Sequence, residues 1–145
     1  MISRTISVIA FGAIFGLFPL IMFYGGIWVN YLSAYDIKEY FNGFFMQNLN
    51  VYFYALFGLF SGVCFVGRGS FLKIVYLLCV VIFASTLIPS VGKSAGNKLF
   101  LKENSRIVIN GKTQFVRLIY KDKYKFYYNT NENPKVVRVN LNANR

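Results

Sequence analysis

Histidine is absent from this chain of 145 residues, and only five residues are acidic. The absence of histidine removes the side chain that most often binds metals and transfers protons near neutral pH. Cysteine is scarce too, because only Cys64 and Cys79 occur, and both lie in apolar stretches where a thiol packs as a small hydrophobic group. The composition therefore excludes the commonest metal sites, and we expect no metal and no cofactor.

The few acidic residues offer little to a catalytic site. Asp36 and Glu39 have a spacing that would put them on one helix face, but the adjacent Lys38 favours capping and solvation. Gly92-Lys93-Ser94 has only the second half of the phosphate-binding loop pattern and follows an apolar stretch instead of a strand. We therefore expect a protein that is not an enzyme.

Long apolar stretches fill the first two thirds of the chain. A helix needs about 20 mostly apolar residues to cross about 30 Å of hydrocarbon. The sequence predicts transmembrane helices at about 6–29, 49–66 and 71–91, within a membrane region at 1–92. No cleavage-site pattern follows the first stretch, which favours an uncleaved span over a signal peptide.

The loop at 33–48, between the first and second predicted spans, is polar but rich in aromatic residues. Its aromatic side chains would lie on one side of a short helix, which predicts an interfacial segment facing the membrane. These aromatic residues are Tyr40, Phe41, Phe44 and Phe45. A re-entrant pore loop is the alternative, although it would need a polar cavity to satisfy its backbone.

Two pairs of glycines, each four residues apart, lie in the first two predicted spans. They are Gly12 and Gly16 in the first span, and Gly58 and Gly62 in the second. Glycines at this spacing share a helix face and let another helix approach closely. The neighbour is either a helix of the same chain or a second copy or larger partner, and the sequence does not choose between them.

Positive charge is concentrated after the third span, where twelve of the sixteen Lys and Arg residues lie. A polar linker at 93–103 is expected to lead into an extramembrane β domain at 104–145. Alternating apolar residues and tight-turn signals predict strands at Ser105–Asn110, Lys112–Lys121, Tyr124–Asn129 and Val136–Leu141. The predicted fold is an α-helical membrane protein with three transmembrane helices and a small C-terminal antiparallel β domain of about four strands.

Alternation along these strands separates two faces of the sheet. One face is apolar and contains Ile107, Ile109, Val116, Leu118, Tyr120, Tyr124, Phe126, Tyr128, Val137, Val139 and Leu141. The other is predicted to be a cationic surface with Arg106, Arg117, Lys121, Lys125 and Arg138, and Tyr127 among them. Because four strands bury little area, the apolar face is expected to dock on the loop at 35–45, on a sister copy or on a partner.

The cationic surface suits anionic lipid headgroups or an acidic protein, or it serves solubility alone. Nucleic acid is not an expected partner, because only Tyr127 adds an aromatic ring to the basic side chains. The expected partners are membrane lipid and other membrane-protein subunits, in a homo- or hetero-oligomer.

The basic residues beside the spans give conflicting indications of orientation. Arg4 and the turn at Arg68–Lys73 favour a cytoplasmic N-terminus, whereas the basic residues after the third span favour a cytoplasmic tail. The abundance of Asn, Lys, Tyr and Phe suggests a bacterial source. We expect the bacterial inner membrane, with the N-terminus cytoplasmic and the C-terminal domain periplasmic.

The predicted spans have no ionisable residue away from their ends, so a single chain has no evident polar pathway. The favoured function is a non-enzymatic accessory or scaffold subunit that packs into a larger membrane complex and presents the β domain for docking. One alternative is a small oligomeric channel or transport component lined by Ser61, Ser85 and Thr86. Another is an immunity-type protein that protects a membrane from a pore-forming toxin.

Overall fold

The computed structural model describes residues 2–109, 112–130 and 134–140. Over these residues the chain forms five α-helices followed by a four-stranded antiparallel sheet, and the predicted C-terminal sheet is confirmed. The helices are α1 (Ile2–Ile27), α2 (Phe41–Asn48), α3 (Val51–Val66), α4 (Ser70–Ala84) and α5 (Pro89–Phe100). The strands are β1 (Lys102–Ile109), β2 (Lys112–Lys121), β3 (Lys125–Asn129) and β4 (Val137–Asn140).

The described helices provide two or three candidate membrane spans by length and composition. Helix α1 continues through a π-helical turn at Trp28–Leu32 and a 3-10 turn at Ser33–Tyr35, so Ser3–Tyr35 is one long apolar helical segment. Ser70–Leu87 is the second candidate span. Helices α2 and α3 qualify only when they are taken together as one bent span, which would be the third candidate.

Helices α2 and α3 meet at an angle of 88°. The bend follows from Asn50, whose side-chain oxygen accepts hydrogen bonds from the backbone amides of Tyr52 (3.0 Å) and Phe53 (3.1 Å). This N-cap satisfies amides that have no partner within the helix, so α3 begins anew at this point.

Helix α2 fills the space between the other helices and the sheet. Phe44 is buried, and its ring centroid lies 5.6 Å from that of Phe100 and 5.7 Å from that of Tyr120. Phe45 is buried beside Tyr24. The prediction that Phe44 and Phe45 face the membrane was therefore wrong, because both rings pack inside the protein.

Helix α5 takes the place of the predicted linker at 93–103, so that prediction was wrong.

The predicted third span at 71–91 is interrupted, because α4 is followed by a 3-10 turn at Ser85–Leu87 and by Ile88 in an extended conformation. Pro89 explains the break. A residue before proline avoids the helical conformation, whereas proline itself fits the first position of a new helix.

The strands lie in the order β1-β2-β3-β4, and each is antiparallel to the next. Strand β2 has the predicted bounds, whereas β1 begins inside the predicted linker. The predicted turn at Asn110-Gly111 and the predicted end of the last strand at Leu141 lie outside the described residues.

A bulge in β2 changes which residues face the helices. Leu118 pairs with Tyr128, and Tyr120 pairs with Tyr127, so Ile119 is an extra residue on β2. An extra residue reverses the alternation of faces beyond it. Tyr120 therefore leaves the predicted apolar face and joins Ile119 and Tyr127 against the helices, where all three are buried.

The sheet consequently has apolar side chains on both faces. Its outer face keeps Val116, Phe126 and Tyr128 at the centre of a small cluster. Its inner face packs against the end of α1 and the segment that follows, where the buried residues are Ile27, Tyr31, Leu32, Ile37 and Phe44. The sheet does dock on the 35–45 region, but through the face that was predicted to be a cationic surface.

Candidate functional site

The four glycines predicted for helix packing lie together at the contact between α1 and α3. A Cβ atom added to Gly16 would stand 2.6 Å from the Cα atom of Gly58, and one added to Gly12 would overlap the carbonyl of Gly58. A Cβ atom on Gly62 would overlap the carbonyl of Val8. The two motifs therefore bring two helices of one chain into backbone contact, and their glycine faces are covered within the monomer.

A third pair of glycines holds α5 against the π-helical turn. A Cβ atom on Gly96 would overlap the Tyr31 ring, and one on Gly92 would stand 2.9 Å from the amide nitrogen of Asn30 and 2.9 Å from the carbonyl oxygen of Gly26. The spacing of four residues was visible in the sequence. It was missed because the polar neighbours of Gly92 and Gly96 favoured a linker.

The break between α4 and α5 leaves backbone carbonyls without helical partners, and Asn30 satisfies two of them. Its amide nitrogen donates hydrogen bonds to the carbonyl oxygens of Thr86 (2.9 Å) and Leu87 (3.1 Å). The Thr86 hydroxyl in turn bonds the carbonyl oxygen of Phe83 at 2.8 Å. The Asn30 side chain, which belongs to the extension of α1, thus stabilises the position at which α5 departs.

Helix α2 contributes two further polar contacts to the seam between helices and sheet. The Gln47 side chain donates to the carbonyl oxygen of Lys121, and the Asn48 side chain donates to the Tyr120 hydroxyl, each at 3.4 Å. Burial raises the pKa of Tyr120 to about 12. The Tyr120 hydroxyl therefore stays protonated and uncharged in this seam at neutral pH.

Glu39 is the centre of a polar junction between the loop and the sheet. Its carboxylate accepts hydrogen bonds from the Lys125 ammonium group at 2.7 Å and from the Tyr127 hydroxyl. The Trp28 indole donates to the Glu39 carbonyl oxygen at 2.8 Å. We call Glu39, Lys125 and Tyr127 the Glu39 junction.

The Glu39 junction is largely shielded from solvent. The side chains of Glu39 and Lys125 are only 11% and 19% exposed. Burial, followed by the hydrogen bond to Glu39, raises the pKa of Tyr127. The expectation that Glu39 is a solvated or capping residue was wrong, because its carboxylate fastens the sheet to the loop.

Strand register keeps four of the five predicted basic residues on the inner face of the sheet, and Lys121 lies on the outer face beyond the bulge. Lys125 belongs to the Glu39 junction, Arg117 lies 3.8 Å from Glu103, and Arg106 lies 5.2 Å from the centroid of the Phe115 ring. Lys121 is exposed at the end of β2, and Arg138 is exposed on β4. The shared face is thus as predicted for these four residues, but they do not form one continuous cationic surface, because the centre of the face is buried against the helices.

A smaller basic groove lies beside the Glu39 junction, with a volume of about 610 Å³. Its lining residues are Tyr35, Asp36, Lys38, Tyr127, Lys135, Val136 and Arg138. We call this set the basic groove. Three of its side chains are cationic and one is anionic, so the groove has a net positive charge.

The loop side of the basic groove is fixed by a left-handed turn at Asp36, which has φ 52° and ψ 33°. The Asp36 amide donates to the carbonyl oxygen of Ser33, and the Ile37 amide donates to that of Leu32. Ile37 is buried, Lys38 is exposed, and Glu39 is mostly buried. This alternation presents Lys38 to the groove while its neighbours anchor the segment.

The sheet side of the basic groove follows from the pairing of β3 with β4. Arg138 is the cross-strand partner of Tyr127, and the flanking Val137 and Val139 pack into the outer cluster. Alternate residues of a strand point to opposite faces, so Arg138 lies on the face opposite to these valines. The sequence signal for the basic groove would have been the pair Lys38 and Arg138. These residues are far apart in the chain, and only the contact between loop and sheet brings them to one groove.

No three Asp, Glu or Cys side chains come together as a set of metal ligands within residues 2–109, 112–130 and 134–140. No known protein family matches this chain, and no curated protein or solved structure is significantly similar to it. Its function is therefore inferred from its own geometry.

Proposed function

We propose that this chain is a non-enzymatic accessory or scaffold subunit, which packs into a larger membrane complex and presents its sheet to a neighbouring protein. In this proposal the helices lie in the bacterial inner membrane, the N-terminus is cytoplasmic, and the sheet is periplasmic. The observation that carries the proposal is the fixed position of the sheet. The Glu39 junction and the inner apolar face attach the sheet to the helices, and the β1–β2 hairpin keeps exposed side chains.

The exposed side chains of the β1–β2 hairpin have the composition of a protein contact. Phe115 is 61% exposed and Val108 is 60% exposed, and both lie on the β1–β2 hairpin. Arg106 pairs with Phe115 across the two strands and lies over its ring. Aromatic residues and arginine are enriched at protein interfaces, and exposed apolar groups mark such sites. We call Arg106, Val108 and Phe115 the hairpin patch.

The glycine motifs do not supply the contact between subunits. Because Gly12, Gly16, Gly58 and Gly62 are covered within the monomer, contact with other subunits has to use other surfaces. In the membrane region, the lipid-facing side chains of the helices are the available surface. The hairpin patch is the available surface of the sheet.

The channel alternative has less support. Ser61 and Thr86 are buried, so they do not line a surface that faces another subunit. The hydroxyl of Ser61 bonds the carbonyl oxygen of Phe57 at 2.8 Å, and that of Ser85 bonds the carbonyl oxygen of Ile82 at 2.7 Å. The immunity-type alternative stays a prediction.

Purification from gently solubilised native membranes tests the proposed function. We expect the chain to co-purify with other membrane-protein subunits at a fixed ratio. Phe115→Ala is expected to weaken this association at least about fivefold, since truncation of an aromatic anchor costs more than about 1 kcal/mol.

Tyr124→Ala is the matched control. Tyr124 is 57% exposed and has the Lys123 ammonium group 5.5 Å from its ring centroid, so it is a similar cation–aromatic pair at the other end of β2. It is expected to keep the association. A stable lone monomer with no associated subunit contradicts the proposal, and ion flux through vesicles that contain only the pure chain favours the channel.

A further inference from the structure

The basic groove has the side chains of an anion-binding site. Lys38 and Arg138 approach it from the loop and from β4, and neither forms an ion pair with a carboxylate among the described residues. Lys135 lines it as well, and Asp36 is its one acidic residue among those described. The nearby carboxylate of Glu39 is already neutralised by Lys125. The positive charges of Lys38 and Arg138 are therefore not cancelled by an ion pair within the described part of the chain.

Phosphate is the anionic group that this set of side chains fits. Arginine offers a planar pair of N–H donors to two phosphate oxygens, and lysine acts as a point charge. A phosphate group can accept hydrogen bonds from more than one cation at once, because it has several strong acceptor oxygens. The volume of about 610 Å³ leaves room for an organic group attached to the phosphate.

The position of the basic groove suits a ligand in the headgroup layer. Tyr35 lines the groove and is also the last residue of the candidate span Ser3–Tyr35. The Tyr35 hydroxyl is oriented by a hydrogen bond of 3.1 Å to the Asn97 side chain. Tyrosines are enriched at the level of the headgroups, where their rings are apolar and their hydroxyls are solvated.

We propose that the basic groove binds the phosphate group of an anionic ligand, with Lys38 and Arg138 as the binding residues. The phosphate belongs either to an anionic phospholipid of the surrounding membrane or to a soluble phosphate compound. This inference needs no protein partner, so it does not depend on the accessory role proposed above.

The experiment compares two sources of phosphate with the full-length chain. In the first arm, the protein in detergent is mixed with equal amounts of phosphatidylglycerol and phosphatidylcholine, and the lipids retained are counted by native mass spectrometry. In the second arm, the protein in phosphatidylcholine nanodiscs is titrated with inorganic phosphate, and binding is followed by the fluorescence of Trp28, which lies in the adjacent π-helical turn.

Arg138→Gln and Lys38→Gln are the test variants, and Lys121→Gln is the matched control, because Lys121 is exposed on the same sheet outside the groove. A cation at a membrane surface contributes about 1 kcal/mol, so each test variant is expected to bind about fivefold more weakly. The control is expected to bind as the unaltered chain does. All three exchanges are at exposed positions, and equal melting temperatures will confirm that the variants are folded.

The outcomes separate the two sources. Preferential retention of phosphatidylglycerol that Arg138→Gln abolishes identifies the lipid as the ligand. Saturable binding of inorganic phosphate that the same variant weakens identifies a soluble phosphate. The proposal is overturned if neither ligand binds, or if Lys121→Gln weakens binding as much as Arg138→Gln does, since binding would then report net charge alone.

Discussion

The hydroxyl of Tyr31 donates a hydrogen bond of 2.6 Å to the backbone carbonyl oxygen of Ile119. Tyr31 lies in the π-helical turn at the end of the first apolar segment, and Ile119 is the bulged residue of β2. Both are fully buried. One bond therefore joins two irregularities of the backbone, and it fixes the sheet on the helices at the point where β2 departs from regular pairing.

Tyr31→Phe is expected to loosen this attachment. The exchange keeps the ring but leaves a buried carbonyl oxygen without its donor, which costs about 1–3 kcal/mol. Amide hydrogen exchange should rise in β2 and β3 and stay unchanged in α4. Tyr54→Phe is the control, because the Tyr54 hydroxyl bonds the carbonyl oxygen of Ala13 in the helical region. Equal exchange rates in Tyr31→Phe and the unaltered chain would contradict the prediction.

Gly96→Ala is expected to destabilise the protein, although alanine normally favours a helix over glycine by about 1 kcal/mol. The added methyl group would overlap the Tyr31 ring, and such overpacking costs about 1–3 kcal/mol. Gly43→Ala in α2 has no atom within 4 Å of the added carbon and is expected to stabilise instead. Chemical unfolding of the two variants in detergent measures this difference in sign. A stabilised Gly96→Ala would show that α5 does not pack on Tyr31.

Glu39→Gln is expected to destabilise the contact between loop and sheet. The amide keeps the size of the side chain but leaves the mostly buried Lys125 without its counter-charge, and hydrogen bonds to charged groups contribute about 1.5–3 kcal/mol. Glu103→Gln is the matched control, because Glu103 is 72% exposed and its pair with Arg117 is 3.8 Å long. Exposed pairs contribute about 0–1 kcal/mol. Thermal unfolding, followed by Trp28 fluorescence, compares the loss of stability in the two variants. An equal loss in both would indicate that Glu39 is exposed to solvent.

The stability of the sheet is expected to fall with rising pH above about 10. Burial raises the pKa of Tyr120 to about 12 and also raises that of Tyr127, whose second cause is the hydrogen bond to Glu39. Below the ordinary pKa of 10, the native and unfolded states are both protonated, and this part of the stability is complete. Between pH 10 and the raised pKa values, only the unfolded state loses protons. Each tyrosine therefore lowers the free energy of unfolding by up to about 1.4 kcal/mol per pH unit.

Tyr120→Phe and Tyr127→Phe should each flatten this alkaline decline, as measured by urea unfolding at a series of pH values. Tyr40→Phe is the control, because its ring is 90% exposed and the exchange is expected to leave the decline as it is. A decline that stays equally steep in both test variants would assign it to other groups.

The apolar stretches and the alternation of the tail predicted the helical region and the four strands, because both depend on short-range periodicity. The bounds of β2 were predicted correctly for the same reason. Helix α5 was missed, because a segment with two glycines and several polar residues becomes helical only when the Tyr31 ring and the Thr86 backbone pack against it.

The candidate sites were harder to predict, because each joins distant parts of the chain. The bulge at Ile119 reverses the faces of β2, and neither Ile119 nor its neighbours signal a bulge in the sequence. Glu39 and Lys125 are separated by 86 positions, so their pairing depends on the docked sheet. The basic groove has the same origin, since Lys38 and Arg138 meet only after that docking.

The contact between Glu39 and Lys125 has a consequence for biogenesis. Glu39 precedes α3 and Lys125 follows α4, so if both helices cross the bilayer, these two side chains meet only after the hairpin has been inserted completely. The inner face of the sheet also needs Ile27 and Tyr31, which are synthesised first. The sheet would then fold only after insertion is complete. A full-length chain whose insertion stopped before α4 would expose Ile119 and Tyr127 to quality-control proteases.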